Sequence, residues 1–267
     1  MENNKRNYVM MLLGLCLGSA AMVPEFGIDF FDISGTICKI GAIVLITLSL
    51  VRQNDLWQNE KPTTFLALSI STAVLAFISI FYTLFGVLSF AGTALGITSI
   101  VMARKAYNVE WNNSTTVPVL TIACATVVAF YELLNDDAVL MNIAAIAAYA
   151  LILMNAPKTG IAAFSTLKIA AILGIVTSFL YMIKIAGIVA WIPYIIFAGL
   201  ILLAFMNYKK DFPAAKLLFI ASIVLVTEEV IDFIPVIDIF VCPVLSIAVI
   251  ALCIAGWTKV IEEMERA

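Results

Sequence analysis

Residues 63–103 read TTFLALSISTAVLAFISIFYTLFGVLSFAGTALGITSIVMA, a run without one charged side chain. About 20 apolar residues in a helix span the hydrocarbon core of a bilayer. The run is twice that length, so it must fold back once. Gly86 lies near its middle, and glycine permits the backbone angles that a tight turn needs. The stretch therefore predicts two membrane-crossing helices joined as a hairpin. Residues 167–207 form a second run of the same length, charged only at Lys168 and Lys184, with Ala186-Gly187 at the turn.

Working outward, apolar segments predict helices near 8–24, 34–51, 63–84, 87–103, 117–134, 138–156, 166–184, 187–207, 214–231 and 238–258. The expected fold is all-α: a polytopic integral membrane protein of about ten transmembrane helices, arranged as five tandem helical hairpins. The hairpins lie near 8–51, 63–103, 117–156, 166–207 and 214–258. Composition agrees. The 267 residues are 63% hydrophobic and 12% charged, where a soluble domain is about 45–50% apolar and about 25% charged. No polar stretch is long enough for a separate soluble domain, so 1–267 reads as a single transmembrane domain. Pro62, Pro118 and Pro213 stand near the starts of apolar runs, where a first helical turn tolerates proline.

A repeat is visible. Phe81-Tyr82-Thr83-Leu84, Phe130-Tyr131-Glu132-Leu133 and Leu180-Tyr181-Met182-Ile183 fall at the same point of three hairpins. Their spacing, near 50 residues, suits a stacked hairpin unit. The N-terminus allows two readings. Lys5 and Arg6 before the apolar run Met10 to Leu17, followed by Ser19-Ala20-Ala21, fit a signal peptide. The run continues to Val23 and fits the hairpin pattern, which favours a retained first helix.

Charge orients the chain. Thirteen of the fifteen basic residues fall in loops on one side, and Lys39 and Lys184 lie near the other. The positive-inside rule makes the first side cytoplasmic, with both termini and every loop between hairpins. Ten of the eighteen acids lie on the outer side. Trp57, Trp111 and Trp257 lie at the inner edge, a placement that suits an apolar ring with a polar N–H. The expected location is a bacterial cytoplasmic (inner) membrane.

The outer acids are the candidate site. Glu228 and Glu229 precede Asp232 by four and three residues, spacings that bring carboxylates to one helix face. Glu132 ends the fifth helix, Lys184 ends the seventh and Lys39 lies in the first turn of the second. Ionisable groups near hydrocarbon are costly and tend to pair or to face water. Glu132, Lys184, Glu228, Glu229, Asp232 and Lys39 thus define an expected outward polar site for a cation or small solute. The bland alternative puts the same groups at the water interface with no site at all. For helix packing, Gly14 with Gly18 and Gly92 with Gly96 form GxxxG pairs, and Ala144 and Ala148 add small residues to the sixth helix. These favour close contacts within the bundle, or with a membrane-protein partner or a second copy.

Much chemistry is absent from the sequence. There is no histidine, and the five cysteines are scattered with no CxxC spacing, so no metal or cofactor is expected. No nucleotide-binding loop and no hydrolase motif occurs. The basic pairs are too short to bind nucleic acid. An enzyme is not expected. Two functions remain: a small-solute or ion transporter or channel, and a non-transporting membrane scaffold, assembly or stress-response protein.

Overall fold

A computed structural model describes residues 2–23, 33–59, 61–81, 86–109, 116–134, 139–155, 162–183, 188–231 and 235–266. All regular structure among them is helical. There are ten long α-helices, one six-residue helix and one 3-10 turn. In order they are α1 (Glu2–Ala21), α2 (Ile33–Arg52), the short α3 (Asn54–Asn59), α4 (Thr63–Phe81), α5 (Gly86–Ala106), α6 (Thr116–Leu133), α7 (Val139–Asn155), α8 (Ala162–Met182), α9 (Ile188–Asp211), the 3-10 turn (Pro213–Ala215), α10 (Lys216–Ile231) and α11 (Pro235–Arg266).

The long helices fall on the ten apolar runs. The clearest departures are α1, which begins at Glu2 and not near residue 8, and α11, which runs on to Arg266 and not to 258. Each extension has partners. At the start of α1 the Asn7 side-chain amide donates to Gln53, and the Ser49 hydroxyl donates to the Asn7 carbonyl at 2.6 Å. Near the end of α11, the Glu263 carboxylate accepts the Ala214 backbone N–H at 2.9 Å. Hydropathy marks where lipid contact stops, whereas polar contacts of this kind carry a helix further.

Five helices, α2, α4, α5, α8 and α11, are long and apolar enough to cross a membrane, and α6 and α7 are apolar but shorter. The exposed surface matches. Along α2 the buried residues are Gly35, Cys38, Ala42, Ile46 and Ser49, while Ile40, Val44, Leu48 and Val51 are exposed. Along α4, Phe65 and then Ser69, Thr72, Ala76 and Ser79 are inside, while Ile70, Val74, Phe77 and Phe81 are outside. A helix of a water-soluble protein shows the reverse, an apolar stripe inward and a polar face outward. Both observations mark a helical membrane protein.

The chain divides into two compact units, Met1–Asn112 and Asn113–Ala267. In the first, α1 is the core: every side chain from Asn7 to Met22 is buried, and α1 packs on α2, α4 and α5. The contacts give the register. Gly14 lies against Leu45 and Ile46, and Gly18 against Ala42, so α1 and α2 run antiparallel. On α5, Gly92 lies against Met22 and Leu75, and Gly96 against Ser19 and Thr72, which sets α5 antiparallel to both α1 and α4. A Cβ on Gly14 would stand 2.8 Å from the Leu45 Cβ, and one on Gly92 would stand 2.6 Å from the Met22 sulfur. The two GxxxG pairs therefore face neighbouring helices, where an added side chain would meet atoms already in place.

An aromatic cluster closes one end of this unit. The Tyr107 ring meets Trp57 edge-on with centroids 5.1 Å apart, and Tyr8 and Phe65 at 5.8 and 5.9 Å. The Trp57 indole N–H donates to the Leu50 carbonyl at 2.9 Å, which fixes α3 beneath α2. The Tyr107 phenol lies within hydrogen-bond distance of Ser49. Ser49 spends its one hydroxyl hydrogen on the Asn7 carbonyl, so Tyr107 is the donor of that pair. Burial pushes the phenol above its ordinary range, with the Ser49 contact acting more weakly the other way. The phenol consequently keeps the hydrogen that this contact needs.

In the second unit each helix packs on the next, and α11 returns to α6, forming a ring of six. Phe130 on α6, Phe205 on α9 and Trp257 on α11 stack edge-on across it, at 6.4 and 6.2 Å. In α10 and α11, Leu218 lies against Gly256, and Glu228 against Cys242 and Ser246, so this pair is antiparallel too.

Glycine substitutions test the packing. Gly14→Ala and Gly96→Ala should each lower stability by about 1–3 kcal/mol through overpacking. Gly199→Ala meets nothing within 4 Å and should stabilise by up to about 1 kcal/mol through helix propensity. Thermal unfolding in detergent reads all three, and equal shifts at the three positions would remove the close-contact role.

Candidate functional site

Among the described residues of the second unit, two acids are buried. Glu132, the penultimate residue of α6, is 3% exposed, and Glu228, one turn from the end of α10, is 7% exposed. Neither lies at the solvent edge, where the bland sequence alternative puts them. A buried carboxyl group is costly unless hydrogen bonds or counter-charges satisfy it.

The surroundings of Glu132 come from three helices. The Tyr149 hydroxyl of α7 approaches Oε2 at 3.4 Å, and the Ser178 hydroxyl of α8 approaches Oε1 at 3.5 Å. Ordinary O–H···O bonds are about 2.7–2.8 Å, so both contacts are loose. Ser178 also donates to the Gly174 carbonyl one turn back, at 3.0 Å. Gly174 makes the arrangement possible. A Cβ there would stand 2.7–2.9 Å from three ring carbons of Tyr149. The missing side chain is the slot through which the tyrosine ring crosses α8 to reach the acid. Asn142, two turns earlier on α7 than Tyr149, is buried as well.

Glu228 is held between α10 and α11. Its Oε1 lies within hydrogen-bond distance of the Ser246 hydroxyl, and the Cys242 thiol reaches the Glu228 backbone carbonyl at 3.9 Å. Ser246 also contacts the Cys242 carbonyl, one turn back, at 2.8 Å. Serine and threonine side chains that bond the carbonyl four residues back satisfy themselves within a helix. Thr72, Thr126 and Thr177 do the same. Ser178 and Ser246 add a carboxyl group to that habit.

Of the other expected site residues, Glu229 is partly buried beside Glu228, and Lys39 is partly buried on α2 of the first unit. Lys184 and Asp232 lie outside the described residues. Ala148 is buried on α7 and Ala144 partly so. No group of three or more cysteine or acidic side chains suited to a metal ion occurs among the described residues.

Sequence reading does not find Tyr149, Ser178, Gly174 and Ser246. Hydroxyls are common in apolar helices, and these lie 17, 46, 42 and 18 residues from the acids they serve. The one available hint is that Gly174 and Ser178 share a helix face. Chemically, a carboxyl group with loosely held hydroxyls in an apolar interior suits a cation or a hydrogen-bonding solute. No protein-family model, curated protein or solved structure matches the chain.

Tyr149→Phe removes one hydroxyl from Glu132, and Gly174→Ala displaces the ring that carries it. Each should lower stability by about 1–3 kcal/mol. The double variant should lose less than the two together, because both break one contact. Full additivity in thermal unfolding would separate the glycine from the acid.

Proposed function

We propose that the protein is a polytopic membrane protein whose ten long helices each cross a bacterial cytoplasmic membrane as five hairpins. In this reading both termini are cytoplasmic, and the protein carries a small solute or an ion. The observation that supports transport is the burial of Glu132 among hydroxyls from α7 and α8. A lipid-embedded protein gains little stability from such a group, so its presence favours a role in binding. The orientation rests on the basic loops, with the clusters around Tyr107 and around Trp257 at cytoplasmic ends.

One observation favours a second reading, a non-transporting scaffold. Among its described residues the first unit buries no carboxylate, amine or guanidinium, and its small residues serve packing.

Two experiments test the proposal. In intact cells, a membrane-impermeant thiol reagent should label Asp136→Cys directly and Lys61→Cys only after permeabilisation. The opposite result reverses the orientation. For binding, thermal unfolding of the purified protein is followed against alkali cations and common metabolites. A ligand at about 100 times its dissociation constant should add roughly 2.7 kcal/mol, lost in Glu132→Gln. A panel without any shift, with Glu132→Gln as stable as the parent, favours the scaffold.

A further inference from the structure

Hydrogens around Ser246 do not balance if Glu228 is ionised. The Ser246 Oγ lies within bonding distance of two acceptors, the Cys242 carbonyl at 2.8 Å and the Glu228 Oε1 at a still closer approach. A serine hydroxyl has one hydrogen, and a carbonyl has none to give. Two close oxygen pairs need two hydrogens between them. The same situation at Ser49 resolves itself, because Tyr107 brings a hydrogen of its own. Of the groups described in contact with the Ser246 hydroxyl, the Glu228 carboxyl is the one that can bring the second hydrogen.

From this we propose that Glu228 is a proton-binding site: its carboxyl group takes up one proton and donates it to Ser246 Oγ, while Ser246 donates to the Cys242 carbonyl. Loading is the addition of H⁺ to a carboxylate, with water as source and sink, and no other reactant takes part. In the carrier reading H⁺ is then the coupling ion. That second step rests on the proposed function, whereas the proton on Glu228 does not.

The neighbours are compatible. Among the described residues the titratable groups nearest in chain or contact are Glu229, next along α10, and Cys242 on α11. The described titratable side chains of α9, Tyr208, Lys209 and Lys210, lie at the end that leads into α10, remote along the helix from Glu228. The 3-10 turn Pro213–Ala215 has none. Ser178 shows the same double contact, but at 3.0 and 3.5 Å. The longer separation does not force a hydrogen between the oxygens, so the count is decisive at Glu228 alone.

Infrared difference spectra of the full-length protein in liposomes at neutral pH test the proton directly. The parent should show a protonated-carboxyl C=O band that shifts in D₂O and is missing from Glu228→Gln. Ser246→Ala keeps the acid and removes its acceptor, so it should displace this band without abolishing it, a readout that stands even if Glu228→Gln folds poorly. A parent that differs from Glu228→Gln only in the ionised-carboxylate bands, or a band unmoved in Ser246→Ala, overturns the proposal. So does a melting temperature that follows Na⁺ concentration while the protonated band is absent. Coupling is read separately, with a pH-sensitive dye inside proteoliposomes. Loss of proton flux in Glu228→Gln supports it. Equal flux in parent and variant removes coupling at Glu228 and leaves the spectroscopic result standing.

Discussion

Helices in lipid gain nothing from hiding apolar surface from one another, because lipid tails are as apolar as leucine. What remains is contact distance. The first unit depends on it throughout: Gly14 and Gly18 let α2 approach α1, while Gly92 and Gly96 let α5 approach α1 and α4. This accounts for the inverted faces of α2 and α4. Bulky residues inside would separate the backbones, whereas outside they meet lipid at no cost. On α2 and α4 small and hydroxyl-bearing residues therefore make up most of the inward face, and the Thr72 and Ser79 hydroxyls bond carbonyls of their own helix.

That economy makes the two buried acids stand out. A hydroxyl that bonds its own helix asks nothing of its neighbours. Glu132 and Glu228 have no such local solution, and each recruits hydroxyls from elsewhere in its unit. Gly174 shows close approach and polar chemistry meeting at one position. There an absent side chain brings no backbone nearer but lets an aromatic ring through.

Helix positions were legible because lipid requires long apolar runs, and the runs show where each helix begins and ends to within a few residues. Where polar contacts extend a helix, as at Asn7 and Glu263, hydropathy is silent. Which face turns inward was less legible. On α2 and α4 nearly every position is apolar or small, so periodicity carries little contrast and residue size becomes the signal. The GxxxG pairs carried it openly. For the site, Glu132 and Glu228 were two of six candidate charges, Glu228 with Glu229 and Lys184 the more marked by apolar surroundings, and the partners of the two buried acids are ordinary serines and a tyrosine distant in the chain. Trp57 meets Tyr107 and Tyr208 meets Trp257, pairs 50 and 49 residues apart in the chain, contacts that no local pattern announces.

The length of α11 has a mechanical side. Its 32 residues, at about 1.5 Å each, make a rod of about 48 Å, against a hydrocarbon core of about 30 Å. Pro243, where such a rod can bend, lies before Ser246, and no proline follows. Ser246, Gly256 and Glu263 therefore ride on one uninterrupted shaft. Gly256, seated against Leu218, lies between the other two like a fulcrum. A rigid shaft turns as a whole, so any rotation that moves Ser246 relative to Glu228 swings Glu263 beneath Ala214 by the same angle. The serine that meets Glu228 and the acid that clasps Ala214 thus sit on the same helix, 17 residues apart.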